Sequence, residues 1–144
     1  MSAVRSNPDQ NDHQASVDAW MDRNCRGAGT GPLLEHFDRA LVVLWRRAGV
    51  TLGEVTLTAI VERVLFVASQ RSPVLSSIKV EPSGPRCENL RERARGLPRD
   101  EIAEAIRFVL VELLTVIGNL TAEILTPALH AELSKVKAGE DVKP

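Results

Sequence analysis

The sequence predicts an all-α fold, a small bundle of about four to six helices with a disordered N-terminal tail. Three long segments, which begin near Pro32, Thr51 and Pro98, carry apolar residues at intervals of three and four, the spacing of one helix face. No segment shows the sustained alternation of apolar and polar residues that marks a half-exposed strand. These two observations place the chain in the all-α class.

Composition bounds the size of this fold and its partners. The chain has 144 residues, enough for one domain, and 44% of them are hydrophobic, so a sizeable core can be buried. Aromatic residues make up only 3%, so that core must be aliphatic. A net charge of −1 creates no overall field that attracts nucleic acid or an anionic membrane, and we expect neither as a partner.

The predicted location follows from targeting signals and cysteine usage. The N-terminus has no apolar core of the kind found in signal peptides. The longest apolar stretch, residues 108–120, contains Glu112 and Asn119 and is too short to span a bilayer. The two cysteines, Cys25 and Cys87, form no disulfide framework. We therefore expect a cytoplasmic protein without membrane insertion.

Residues 1–31 are predicted to form the disordered tail, because they are rich in Asp, Asn, Ser and Gly and lack apolar periodicity. Within them the segment VDAWMD is the one apolar spot, and its Trp20 is a candidate contact for a partner. The helical bundle domain is assigned to residues 32–137. Residues 138–144 are assigned to a frayed C-terminus.

Two predicted helices come first in the bundle. The first runs from Pro32 to Ala48 and ends at Gly49, because glycine readily adopts the left-handed conformation that ends many helices. The second begins at Thr51, which lies three residues before Glu54, the spacing of a capping box. Its core-facing residues share one helix face: Leu57, Ile60, Val61, Val64, Val67 and Ala68.

Shorter elements are predicted in the middle of the chain. Ser72 followed by Pro73 has the pattern of a cap and first position of a short helix. Residues 81–85, EPSGP, break regular structure. The charged segment 86–96 fits a short surface helix that Gly96 ends.

The strongest helix signal begins at Pro98. Acidic residues fill the first turns, where they complement the positive end of the helix dipole, and an apolar stripe runs from Ile102 to Leu120. We expect this helix to continue through Ile124. A last helix restarts at Pro127, since proline cannot extend the helix that precedes it.

Large apolar residues fall on helix faces that should be polar. Phe66 lies opposite the core-facing residues of its predicted helix, and Phe108 and Val111 lie opposite the stripe of theirs. Apolar outer faces indicate cover by another part of the chain or by a partner. We expect self-association, most simply as a symmetric homodimer with these residues in the interface.

His130 and His36 are the candidates for an alternative function, histidine phosphotransfer in a phosphorelay. Each is predicted on the flank of a helix, and phosphotransfer requires an exposed imidazole. The familiar pattern has Lys three and Gly four residues after the histidine, whereas Leu133 and Ser134 occupy those positions after His130. A structural role on the edge of a packed helix is the favoured interpretation of both histidines.

The sequence contains no pattern for catalysis, a metal or a cofactor. It has no Glu-x-x-His pair, no local signature of an activated Ser or Cys, and no phosphate-binding glycine loop. The arginines between Arg86 and Arg99 alternate with Glu88 and Glu92, which favours a solvated surface over an anion site.

We therefore predict a non-enzymatic regulatory or adaptor protein that acts through helix-mediated contacts with itself and with another protein. A second alternative, after phosphotransfer, is a sensor domain with a pocket for a small apolar ligand between its Leu-rich and Val-rich helices.

Overall fold

The computed structural model describes residues 8–25, 27 and 29–136, with side chains from residue 12 onward, and these residues form an all-α bundle with one small hairpin. The predicted fold class is confirmed. In chain order the elements are α1 Pro8–Asn24, α2 Thr30–Leu52, α3 Glu54–Arg71, a 3-10 helix Pro73–Ser77, β1 Lys79–Glu81, β2 Gly84–Arg86, α4 Glu88–Ala94, α5 Arg99–Leu120 and α6 Thr126–Ser134.

α5 is the central helix of the bundle. It packs against α1, α2, α3 and α6, and its Leu110 and Leu114 are completely buried. Ten of its 22 residues are buried, which is more than the single stripe of an amphipathic surface helix requires. Neighbouring elements therefore cover much of the apolar surface that the sequence places around this helix.

α1 is a packed element of the bundle, and the prediction of disorder up to residue 31 is wrong for residues 12–24. His13, Val17 and Trp20 lie four and three residues apart on one face and are buried against α5 and α6. The indole Nε1–H of Trp20 donates a hydrogen bond of 2.9 Å to the carbonyl oxygen of Val136. Three buried residues in a polar helix are too few to produce a clear periodic signal, so the helix depends on tertiary packing. The predicted tail at residues 1–7 and the frayed C-terminus from residue 138 lie outside the described residues.

The boundary between α2 and α3 falls four residues later than predicted. Gly49 lies inside α2, and its carbonyl oxygen accepts a hydrogen bond of 2.9 Å from the amide of Gly53. Gly53, with φ of +84°, ends α2 and begins α3. Thr51 belongs to the last turn of α2, so the predicted capping box with Glu54 does not form.

The hairpin was not foreseen from the sequence. β1 and β2 pair antiparallel, with Lys79 opposite Arg86, and each strand has three residues, too few for a visible alternation. Gly84 has a φ of +128°, and a β-carbon there would lie 3.4 Å from Cδ1 of Trp45, so glycine suits both the backbone and the close approach. The predicted break at residues 81–85 corresponds to this turn and the strand after it.

α5 ends at Leu120 and does not continue through Ile124 as expected. Ala122 and Glu123 both have left-handed backbone conformations, with φ of +52° and +63°. The amide of Glu123 donates a hydrogen bond of 2.7 Å to the carbonyl oxygen of Gly118. This tight turn brings Glu123 back over α5 and starts α6 at Thr126, with Pro127 in its first turn as predicted.

Candidate functional site: a buried histidine pair

Two histidines far apart in the chain meet where α1 packs on α6. Nδ1 of His13 lies 2.9 Å from Nε2 of His130, within hydrogen-bond distance, and the ring centroids are 5.0 Å apart with the planes nearly perpendicular. His13 is 1% exposed, whereas His130 is half-buried. One polar contact between two imidazoles therefore joins the N-terminal helix to the C-terminal helix.

A carboxylate completes this cluster. Oε1 of Glu123 lies 3.3 Å from Nε2 of His13, close enough for an ion pair although the two groups are not aligned as a hydrogen bond. Thr126 holds the carboxylate from the other side, because its hydroxyl donates a hydrogen bond to the same Oε1. The order of groups is therefore Glu123, His13, His130, and we name these three residues the histidine cluster.

Gly118 makes room for the carboxylate of the histidine cluster. A β-carbon at this position of α5 would lie 3.0 Å from Cδ of Glu123, closer than side chains normally approach. The left-handed turn after α5 and the missing side chain at Gly118 act together to direct Glu123 toward His13.

Burial sets the charge of His130. Desolvation lowers its pKa below the ordinary value, and the neighbouring His13 lowers it further, whereas the carboxylates of Asp12 and Glu123 act in the opposite direction. The unprotonated ring is therefore favoured at neutral pH, so that Nε2 of His130 can accept a hydrogen bond from the Nδ1–H of His13.

The two candidate phosphoacceptors occupy different environments. His130 is half-buried, and its Nε2 is within hydrogen-bond distance of His13. His36 on α2 is buried at 6% exposure. Neither imidazole is freely presented to a docking protein. His13 and Glu123 are not among the residues predicted from the sequence, although the spacing of His13, Val17 and Trp20 is a weak signal for one helix face.

The four predicted interface residues differ in their exposure to solvent. Phe66 on α3 is 59% exposed, as expected, and Phe108 is partly buried beneath the guanidinium of Arg71, whose Cζ lies 4.4 Å from the ring centroid. The expectation of exposure is wrong for Val111 and Trp20, which are 7% and 0% exposed. Both pack into the core of their own chain, because α1 covers a side of the bundle that the sequence had left open.

The arginines between Arg86 and Arg99 do not all converge: Arg86 and Arg91 line one groove, whereas Arg93 lines another. Arg86 is paired with Glu81 and Glu88, and Arg99 donates a hydrogen bond to the carbonyl oxygen of Cys25. Arg91 lines a groove of about 560 Å³, together with Arg46 and with acidic side chains, between α2, the hairpin and α4. The mixture of positive and negative side chains on these surfaces favours a solvated surface over an anion site.

The described part of the chain holds no further constellation of chemical groups. Within it no set of three or more His, Cys, Asp or Glu side chains is arranged to hold a metal ion. The cavity between α2, α3 and α5 measures about 10 Å³, which accommodates one water molecule at most. None of the helices described here is both long and apolar enough to cross a lipid bilayer.

Comparison of the chain with protein-family models, with curated proteins and with solved structures finds no match.

Proposed function

We propose that this protein is a non-enzymatic regulatory or adaptor module that acts through helix-mediated contacts and self-associates through the outer face of α3. The observation that carries the proposal is the exposure of Phe66, which is 59% accessible on a helix whose opposite face is already buried. Burying a phenylalanine side chain contributes about 1.5–3 kcal/mol, so this position favours association.

The outer face of α3 extends beyond Phe66. Val55, Ala59 and Phe66 recur at intervals of four and seven residues, and all three are exposed. The core-facing residues Leu57, Val61, Val64 and Ala68 lie on the other side of the helix. The outer face of α3 therefore carries Val55, Ala59 and Phe66 beside the exposed Glu62, in addition to the buried apolar face.

A second group of exposed apolar side chains lies near the ends of α2 and α5. Val50, Leu120 and Ile124 are 81%, 61% and 78% exposed. Leu57 of α3 and Ile117 of α5 line the same small cavity, so the start of α3 and the end of α5 meet at one end of the bundle. Val55 is therefore at the same end of the bundle as Leu120.

A second copy of the chain is the simplest occupant of this surface. In a two-fold dimer each copy contributes the same patch, so the interface buries two phenylalanine side chains, one from each chain. The surface also fits a helix of another protein, which agrees with an adaptor role in the cytoplasm.

The two alternatives have less support in the geometry. Phosphotransfer needs an accessible imidazole, but Nε2 of His130 faces His13 and His36 is buried. A sensor of apolar ligands needs a cavity between the Leu-rich and Val-rich helices, where only about 10 Å³ is open.

The substitution Phe66→Glu tests the proposal. We expect the wild-type protein to sediment as a dimer and the variant as a monomer with an unchanged helical circular dichroism spectrum, because a buried carboxylate opposes association. Thr56→Glu is the matched control, since Thr56 is exposed on the same helix away from the Val55–Phe66 face and should leave the dimer intact. A wild-type monomer throughout a concentration series, or equal association of both variants, would contradict the proposal.

A further inference from the structure

We propose that the His13–His130 contact is a proton-operated clasp. It docks the first half of α1 on α6 while one ring donates a hydrogen bond to the other, and it opens when both rings are protonated. The clasp goes beyond the proposed function, because it concerns a contact within one chain and holds whether or not the protein self-associates.

The hydrogen-bonding capacity of imidazole explains why the clasp responds to protons. A bond between Nδ1 of His13 and Nε2 of His130 needs one nitrogen that carries a hydrogen and one that carries a lone pair. When both rings are cationic, both nitrogens carry a hydrogen and two positive charges face each other at 2.9 Å. The rings must then separate, which removes the contact that docks the 1% exposed His13 on α6.

The charges around the pair act in opposite directions. The carboxylate of Glu123 lies 3.3 Å from Nε2 of His13. Burial and the neighbouring His13 lower the pKa of His130. The carboxylates of Asp12 on α1 and Glu123 in the turn raise it by less, so the net effect is a lowered pKa. α2 also packs against α6 but adds no charged group to those that act on His130 among the described residues.

The lowered pKa of His130 determines the direction of the response. The undocked ring has a pKa near 6.5, so it binds protons at a higher pH than the docked ring does. Docking is therefore complete above this value and weakens as the pH falls through the pKa of the docked ring.

The opening is confined to the first half of α1. Its second half is anchored independently: Trp20 is completely buried and bonded to Val136, and both oxygens of Asp18 accept hydrogen bonds from Arg107. Among the described residues before Asp18, the buried side chains are those of His13 and Val17. Protonation therefore releases residues 12–16 from the bundle and leaves the core closed.

Hydrogen exchange of the full chain tests the clasp. We expect the protection factors of amides 12–16, corrected for intrinsic rates, to fall between about pH 7.5 and about pH 5, by about tenfold for each unit by which docking lowers the pKa of a ring. The amides of α5 serve as the internal reference and should keep their protection. No loss in residues 12–16 of the wild-type chain would overturn the proposal.

Substitutions separate the clasp from general acid effects. In His130→Gln the amide can still bond His13 but does not gain charge, so the acid-induced loss should shrink to less than half; His13→Gln provides the same test from the other ring. The chain has three histidines, and His36→Gln is the matched control that should retain the full response. Equal losses in wild type and in both pair variants, or loss of the response in His36→Gln alone, would refute the clasp.

Discussion

Cys25 and Cys87 show how burial changes the chemistry of single residues. Desolvation raises the pKa of Cys25 to about 11, against the opposing charge of Arg99. Desolvation also raises the pKa of Cys87 to about 12, and the carboxylate of Asp38 adds to the effect by its charge and by accepting a hydrogen bond from the thiol. Since the thiolate is the nucleophile, both thiols are unreactive at neutral pH despite the half-exposed position of Cys87.

The reactivity of Cys87 provides a test at this scale. With Cys25 replaced by Ala, we expect Asp38→Asn to accelerate the reaction of Cys87 with an aromatic disulfide reagent. The rate should rise about tenfold for each unit by which the loss of the carboxylate charge lowers the Cys87 pKa. Absorbance of the released thiol at neutral pH gives the rate, and the guanidinium-unfolded protein provides the upper limit. Equal rates in the presence and absence of Asp38 would show that burial alone protects this thiol.

At the scale of elements, backbone conformation decides where helices end. Gly49 and Gly53 are both acceptable helix terminators by sequence, and the apolar spacing of the first predicted helix favours Gly49. In the structure only Gly53 has a left-handed conformation, with φ of +84°, whereas Gly49 is helical. A β-carbon at Gly49 would make ordinary contact with Leu57 at 3.7 Å, so nothing in its surroundings requires glycine.

Opposite effects of two alanine substitutions follow from this boundary. Gly49→Ala should stabilise the protein by about 0.5–1 kcal/mol, because alanine loses less backbone entropy inside a helix. Gly53→Ala should cost about 1–3 kcal/mol, because φ of +84° with ψ of 158° lies in a backbone region that essentially only glycine occupies. Urea unfolding measures both changes. Destabilisation by Gly49→Ala would indicate that the helix ends at Gly49, the position predicted from the sequence.

At the scale of the whole molecule, the N-terminal helix α1 is bonded to the C-terminal end of the described chain. It contacts α5 and α6, and its polar bonds reach Arg107, His130 and Val136. The N-terminal helix thus closes the bundle and covers apolar surface that would otherwise require a partner.

The contribution of α1 to the core can be measured at Trp20. Trp20→Ala should lower the free energy of unfolding by about 3–5 kcal/mol, the usual cost of truncating a large buried aromatic residue. Leu120→Ala is the control, since Leu120 is 61% exposed and its truncation should change stability by less than about 0.5 kcal/mol. Similar small effects at both positions would mean that α1 contributes little to the folded state.

Local patterns predicted the elements that contain many apolar residues. α5 was foreseen from its stripe and its acidic start at Pro98, and the 3-10 helix from Ser72 and Pro73. Phe66 was placed outside the core because the periodicity of α3 alone identifies its opposite face. By contrast, α1, the hairpin and the turn at Glu123 each have too few residues with a distinctive pattern.

The candidate site lay beyond the reach of local patterns. His13 and His130 are separated by 117 positions, and Glu123 reaches them only because α5 stops at Leu120 and the backbone turns back through left-handed conformations. No periodicity encodes such a meeting, since it depends on which helices become neighbours.

The sequence by itself determined the helical class, the aliphatic core and the exposed phenylalanine of α3, because each follows from the spacing of residues within one helix. Only the tertiary structure decided that α1 is folded, that Trp20 and Val111 belong to the core, and that two histidines share a proton-sensitive contact. These features arise from packing between distant segments, where burial and neighbouring charges, rather than local propensity, dominate the free energy.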